Sequence, residues 1–375
     1  MPTTIQSIET FPVIYPVEGR FKFFESPAGR PMGRPAVVIK ITADDGTVGW
    51  GESAPSQRWS YETIESVHST IEKYLTPELL GADPFDAEGV HAKMNLAIAG
   101  SFSTGQPICK CGIDLALFDL TGKILNQSAA QRWGRNDEQT VTLSWTLNPR
   151  TLDDAEADIA KAHDRGYRHF NIKVAPDPIY DLELCALARR MAPDAVIWCD
   201  ANGGYDLRSA LEVAPRLADL GMLALEQPVP SNRLSWFREV KQQGALPILM
   251  DEGIVSLAEL EEFHKLKLMD GVAIKVTRCG GLTEARRHVE FLENNGLMFL
   301  ASGLTDPDLS LSASLALFGA YGLKYPAALN GPQFLAESLL TEPLQIDGDV
   351  ARVSDGPGLG VNVSEAKIEK IRVEL

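Results

Sequence analysis

Five charged residues fall at nearly regular intervals through the middle of the chain: Lys173, Asp200, Glu226, Asp251 and Lys275, separated by 27, 26, 25 and 24 residues. Each closes a short apolar run, as in Ile197-Trp-Cys-Asp200 and Ile248-Leu-Met-Asp251. Three carboxylates gathered in one place repel one another. At an effective dielectric near 20, unit charges about 4–5 Å apart cost roughly 3–4 kcal/mol per pair. A hard divalent cation removes that cost, and three monodentate carboxylates with open positions suit Mg2+ or Mn2+. Two lysines beside such an ion are poor structural choices but good bases. Neighbouring positive charge lowers an ammonium pKa, and an operating base must fall from about 10.4 toward 7–8.

The spacing requires a scaffold that repeats. From about Thr140 short apolar strands alternate with amphipathic helices. The strand-like segments are Val141–Leu147, His169–Val174, Ala195–Asn202, Leu223–Val229, Pro247–Gly253, Gly271–Thr277, Leu297–Gly303 and, weakest, Ala327–Gln333. Ser256-Leu-Ala-Glu259 is a capping box ahead of Leu260, Phe263 and Leu266 at helical spacing. Asp306-Pro307 places an N-cap and an N1 proline before another helix. Gly166, Gly221 and Gly296 stand where helices should stop, and Pro215 interrupts one helical pattern. Eight βα units in series predict an α/β fold of the (β/α)8 TIM-barrel type over residues 135–342, in which reactive side chains project from the C-terminal strand ends. Residues i and i+2 share a strand face, so Asn171 points with Lys173 and Trp198 with Asp200, all toward the barrel interior. An open doubly wound sheet is disfavoured, because no GxGxxG follows a strand.

Residues 1–130 read differently. Strands Ala36–Thr42 and Val48–Glu52 flank Asp44-Asp45-Gly46, and apolar residues at Tyr61, Ile64, Val67, Ile71 and Tyr74 mark a helix. This predicts an N-terminal α+β domain capping the barrel, with the tail 343–375 packing back on it. The 375 residues carry a net charge of −16, so a phosphate backbone is repelled and nucleic acid is not an expected partner. No run is long enough to span a bilayer and no leader pattern opens the chain. Five cysteines without metal spacing point to a reduced, cytoplasmic setting.

The order Lys, Asp, Glu, Asp, Lys on successive barrel strands behind an α+β domain resembles the enolase superfamily, and the lysine pair resembles its muconate-lactonising subgroup. Supporting motifs are Asn171-Ile-Lys173, Asp200-Ala-Asn202, Glu226-Gln-Pro228, Asp251-Glu252, Lys275 with Gly280-Gly281, and Pro357-Gly-Leu-Gly360. The resemblance implies that Asp200, Glu226 and Asp251 hold Mg2+, which binds a substrate carboxylate and stabilises the enediolate formed when Lys173 or Lys275 removes the α-proton. It implies a small anionic carboxylate as substrate and a homo-oligomer. Two departures stand out. The subgroup's first lysine is replaced by Asn171, and the eighth strand reads Leu329-Asn330-Gly331 without the Asp-x-Asp of dipeptide epimerases. No histidine falls at a strand end, so no histidine base is expected.

The expected reaction is racemisation or epimerisation, with lactonising cycloisomerisation and acid dehydration as alternatives through the same intermediate. A barrel glycosidase needs two carboxylates but no lysine pair, and an acid-binding barrel without catalysis is the remaining alternative. Asn202 suits a helix cap as well as the site, Glu252 has the opposite parity to Asp251, and Asn171 and Asn330 are candidate substrate contacts. Residues 20–34 carry four basic residues and one acidic, with Phe21, Phe23 and Phe24 among them. In the resembling family this loop covers the barrel mouth, so Phe24, Arg30 and Arg34 are expected as substrate-lid residues. Ser56-Gln-Arg-Trp-Ser-Tyr61 offers a second wall.

Overall fold

The computed structural model describes residues 3–25, 32–100, 103–135 and 140–375; Arg30 lies outside them. Seven parallel strands form one curled sheet in chain order: Trp145–Leu147, Phe170–Lys173, Ile197–Asp200, Leu225–Glu226, Ile248–Met250, Gly271–Ile274 and Met298–Ala301, here strands one to seven. The eighth position is reduced to two parallel bridges, Ser302 with Ala328 and Leu143 with Ala327, which join strand seven to strand one. Of its expected helix only the turn Gly331–Phe334 forms. The cause is local: Pro326 and Pro332 bracket the segment, and neither offers an N–H to a ladder. The fold is thus a TIM-type barrel whose last unit is abbreviated.

Seven helices connect the strands: Leu152–Asp164, Pro178–Met191, Leu207–Asp219, Leu234–Gln243, Leu257–Lys265, Leu282–Asn294 and Asp308–Ala320. Ser256 and Glu259 form the predicted capping box. Pro215 is accommodated inside its helix because the carbonyl it orphans, that of Leu211, accepts instead from Gln243 Nε2 at 2.8 Å. The expectation at Asp306 is corrected. Pro307 occupies the N-cap, while buried Asp306 accepts from Leu304 N at 3.1 Å and Thr277 Oγ1 at 3.2 Å.

Strand parity creates two storeys inside the barrel. Trp198, Ala224, Leu249, Ala273, Leu300 and Ala328 pack together as an apolar plug. Two residues further along each strand stand Asp200, Glu226, Asp251, Lys275, Ser302 and Asn330. The intervening residues, such as Ile172, Cys199 and Ile274, join the core shared with the surrounding helices. No helix among the described residues is long and apolar enough to cross a membrane.

The N-terminal sheet pairs Ile5–Tyr15, Arg34–Ala43 and Val48–Ser53 antiparallel. It packs on the helix Pro107–Leu125 so closely that a Cβ at Gly51 would lie 2.1 Å from the Gly112 carbonyl oxygen. The tail returns to both parts. Val350–Arg352 pairs with Thr140–Thr142, and Val373 N donates to the Pro12 carbonyl at 3.0 Å.

Two buried charges of the N-terminal domain grip the barrel. Arg34 is fully buried, donating to the carbonyls of Thr305 at 3.2 Å, Ala54 at 2.7 Å and Pro55. Its expected place as a substrate-lid residue is therefore corrected: its donors are engaged by backbone carbonyls and it is not among the residues lining the cleft at the barrel mouth. Glu52 accepts from Tyr15 Oη at 2.7 Å and from Ser310 N, in the seventh barrel helix, at 3.2 Å.

Burial raises the Glu52 carboxyl to about 7. The folded protein keeps this proton where the unfolded chain has lost it, so the Glu52 contribution to stability declines as pH rises from about 4.5 through 7. In urea unfolding across pH 5–7.5, Glu52→Gln is expected to flatten that decline. An unchanged slope would show that Glu52 does not hold the proton.

Candidate active site

Asp200 ends strand three, Glu226 ends strand four, and Asp251 follows strand five, so neighbouring strands deliver the three carboxylates to one point. One oxygen from each lies within 4.8 Å of the others, and all three side chains are buried. Lys173, at the end of strand two, hydrogen-bonds Asp200 Oδ2. Lys275, just past strand six, hydrogen-bonds Asp251 Oδ1 and stands 3.9 Å from Glu226 Oε1. The lysines thus flank the acid cluster from opposed strands of an eight-position barrel.

Surrounding groups fix the carboxylates. Trp198 Nε1 donates to Glu226 Oε2 at 3.0 Å. Asn202 donates to Asp200 from its backbone at 2.8 Å and its side chain at 3.2 Å, so it serves the site rather than capping the next helix, which Asp206 caps. Gln227 Oε1 accepts from Asp251 N at 2.9 Å. Burial, reinforced by the charges of Asp200 and Asp251, pushes the Glu226 carboxyl up to about 8. Asp251 moves the other way: burial alone would raise it, but the Lys275 and Arg278 charges hold it below its ordinary value. Burial and the charges of Asp251 and Asp200 push the Glu252 carboxyl well above its ordinary value. Lys173 is raised because the Asp200 and Glu226 charges outweigh the opposing effect of burial.

The donor set fits a hard divalent cation. Even with both lysines engaged, Glu226 Oε1 and Asp251 Oδ2 are buried without a hydrogen-bond partner. Two buried, unpartnered carboxylate oxygens in one acid cluster are what Mg2+ ligation satisfies. Asp200, Glu226 and Asp251 would hold the ion.

The cleft above is lined by Phe21, Phe24, Trp59, Thr146, Asn171 and Asn330, among others. Phe21 stacks on Phe334 at 5.0 Å between centroids and meets Phe24 edge-on at 5.4 Å, which seats the N-terminal loop over the barrel mouth. Of that loop's basic residues, Arg20 pairs with Glu25 at 3.1 Å and Arg34 is engaged below. Lys22 remains near the site, lowered to about 8 by burial and then by the Lys173 charge.

Sequence reasoning missed Arg278, whose NH1 hydrogen-bonds Asp251 and whose NH2 donates to the Ala273 carbonyl at 2.8 Å. Its signal was its place three residues after Lys275, one helical turn on. Trp59, whose ring centre lies 5.2 Å from Lys275 Nζ, belonged to the segment read as a second wall.

Two family models match the chain: enolase C-terminal domain-like over residues 154–367, and the N-terminal domain of mandelate racemase / muconate lactonizing enzyme over residues 29–134. A chloromuconate cycloisomerase of Cupriavidus necator is 29% identical, over 88% of this chain and 90% of its own. An N-succinyl-L-Arg/Lys racemase of Bacillus cereus is 27% identical, over 90% of each chain. The crystal structure of muconate lactonizing enzyme from Pseudomonas fluorescens with muconolactone superposes with a TM-score of 0.91 at 25% identity, covering 100% of both chains.

Mg2+ at about 100 times its dissociation constant should stabilise the protein by about 2.7 kcal/mol. Differential scanning calorimetry should show the unfolding temperature rising by several degrees on adding Mg2+ to chelator-treated protein, and Glu226→Gln should remove most of that rise. A full rise in Glu226→Gln would exclude Glu226 as a ligand. Arg278→Leu leaves the buried Asp251 one partner short and should cost about 3–5 kcal/mol in urea unfolding.

Proposed function

The chain belongs to the mandelate racemase / muconate lactonizing enzyme family of the enolase superfamily, and from that premise we propose that it is a Mg2+-dependent isomerase, a racemase or epimerase of a small carboxylic acid or amino-acid derivative. The observation that carries this reading is the pair of lysines on opposite flanks of one acid cluster, Lys173 on Asp200 and Lys275 on Asp251. A divalent ion bound by Asp200, Glu226 and Asp251 supplies positive charge to a substrate carboxylate, which acidifies the neighbouring C–H.

The protein's own groups then manage the proton. Lys173 and Lys275 face each other across the mouth, so each reaches one face of the α-carbon. A neutral Nζ on one side takes the proton, and the ammonium on the other returns one to the opposite face. The loop bearing Phe21 and Phe24, with Trp59 opposite, serves as a lid that keeps water out. Lys22 gives this lid a positive charge for an anionic substrate. A second reading, lactonising cycloisomerisation, is supported by the likeness to the Cupriavidus necator enzyme. In it one lysine moves the proton and the other acts as a fixed charge.

Incubation in deuterated buffer with Mg2+ tests the proposal, using both enantiomers of N-acylated amino acids and a set of muconates followed by proton NMR. A racemase incorporates deuterium at the α-carbon and forms the opposite enantiomer. Lys173→Ala and Lys275→Ala should each lose about 10²–10⁴-fold in turnover. Each should retain exchange on the one enantiomer that the remaining lysine faces. Ring closure of a muconate without α-exchange of any amino acid would replace this reading with the second.

A further inference from the structure

On the side of the mouth formed by strands one and two and the abbreviated eighth position, three uncharged polar residues stand in a row. Thr146 and Asn171 are register neighbours on strands one and two. Asn330 Nδ2 donates to Thr146 Oγ1 at 3.1 Å. The row is rigid: Gln333 accepts from Thr146 N and donates to the Thr146 carbonyl, each at 2.9 Å. Thr146 and Asn171 are 1% exposed and Asn330 6%, and all three line the cleft. Yet Asn171 Nδ2 and Asn330 Oδ1 are buried with no hydrogen-bond partner.

Such atoms are rare in native proteins, because leaving one buried and unpaired costs about 1–3 kcal/mol. Here a donor and an acceptor sit on the two residues beside the same threonine, both residues line the same cleft, and Asn171 lies two positions before Lys173 on one strand. We infer that Asn171 and Asn330 form a subsite for an uncharged group of the substrate that donates and accepts hydrogen bonds at once, an amide or a hydroxyl. The inference deepens the functional reading above and rests on it, since it assumes that the substrate's carboxylate is held at the acid cluster. A second carboxylate at this subsite would turn its oxygens toward Asn330 Oδ1 and find no cation among the three side chains. An alkyl group would leave both buried atoms unpaired. An amide or hydroxyl satisfies both, which makes the row a specificity device: it selects a monocarboxylate with a neutral polar arm over a dicarboxylate.

Calorimetric titration of the full chain with and without Mg2+ tests this with four matched probes: succinamate, 4-hydroxybutanoate, succinate and pentanoate. In Mg2+, succinamate or 4-hydroxybutanoate should bind about tenfold or more tighter than succinate and pentanoate, the equivalent of one hydrogen-bonded pair. Which of the two binds tighter distinguishes amide from hydroxyl. Asn171→Leu and Asn330→Leu should each erase the preference and favour pentanoate, and Asn171→Lys should turn it toward succinate. Circular dichroism identifies any variant that fails to fold, in which case the other variants and the wild-type order still decide. Mg2+-dependent binding of all four probes with equal affinity, or a preference that survives the substitutions, overturns the subsite while leaving the metal reading in place. Absence of Mg2+-dependent binding by any probe overturns both.

Discussion

Mutual repulsion among Asp200, Glu226 and Asp251 is the constraint around which the barrel is built. Three buried carboxylates with oxygens within 4.8 Å of one another are tolerable only where their surroundings leave them no alternative. The apolar plug beneath, led by Trp198, removes water from below and gives one indole N–H to Glu226. Lys173 and Lys275 hold the flanks, and Arg278 shares Asp251 Oδ1 with Lys275. Stability is given up here for chemistry. The same residues replaced by hydrophobic ones would make a sturdier and inert barrel.

The N-terminal domain completes this arrangement from above by gripping backbone as well as by covering the mouth. Arg34 binds carbonyls on both the 54–55 segment, which leads to Trp59, and Thr305, in the loop after strand seven. Thr305 adopts φ of 56°, a strained conformation for a β-branched residue, and the Arg34 contact is one of the forces that keeps it there. On the other side Asp114 accepts from Thr283 N at 3.2 Å. It thereby supplies the cap that Gly281 lacks at the start of the helix following Lys275. A Cβ on Gly281, whose φ is 112°, would sit 2.2 Å from that carboxylate, which explains the glycine in the Gly280-Gly281 motif. The wall formed by the loop after strand seven and the segment carrying one lysine are therefore placed by residues of the N-terminal domain.

The periodic features were legible in the sequence, because a strand's two-residue alternation and a barrel's unit length leave a trace in spacing. That is why the five charged residues, their common orientation and the cap at Ser256 could be read from residue types alone. The eighth unit was overestimated, because Ala327–Gln333 is apolar enough for a strand, and the cost of Pro326 and Pro332 shows only in the missing ladder bonds. Arg34 was assigned to the substrate by the charge of its loop. Its partners are backbone carbonyls, one of them 271 residues away, and no side-chain pattern encodes a carbonyl. Arg278 stands one helical turn after Lys275, but its residue type alone does not separate it from a solvated helix arginine until Asp251 stands beside it.

The closure of the molecule has a consequence for its birth. Strand Ile5–Tyr15 has Arg34–Ala43 along one edge, and what meets its other side near Val13 is Arg372, from beyond the whole barrel in sequence. The barrel, too, is sealed late, when Ala327 reaches Leu143 and Val350–Arg352 reaches Thr140–Thr142. A ribosome adding about 5–20 residues per second takes on the order of tens of seconds to cover that distance. During that interval the nascent chain carries an open strand edge and an unclosed sheet, both templates for pairing with a neighbouring chain. Closure of the sheet thus waits on segments far along the chain, and the pairings of high sequence separation are the slow ones to form.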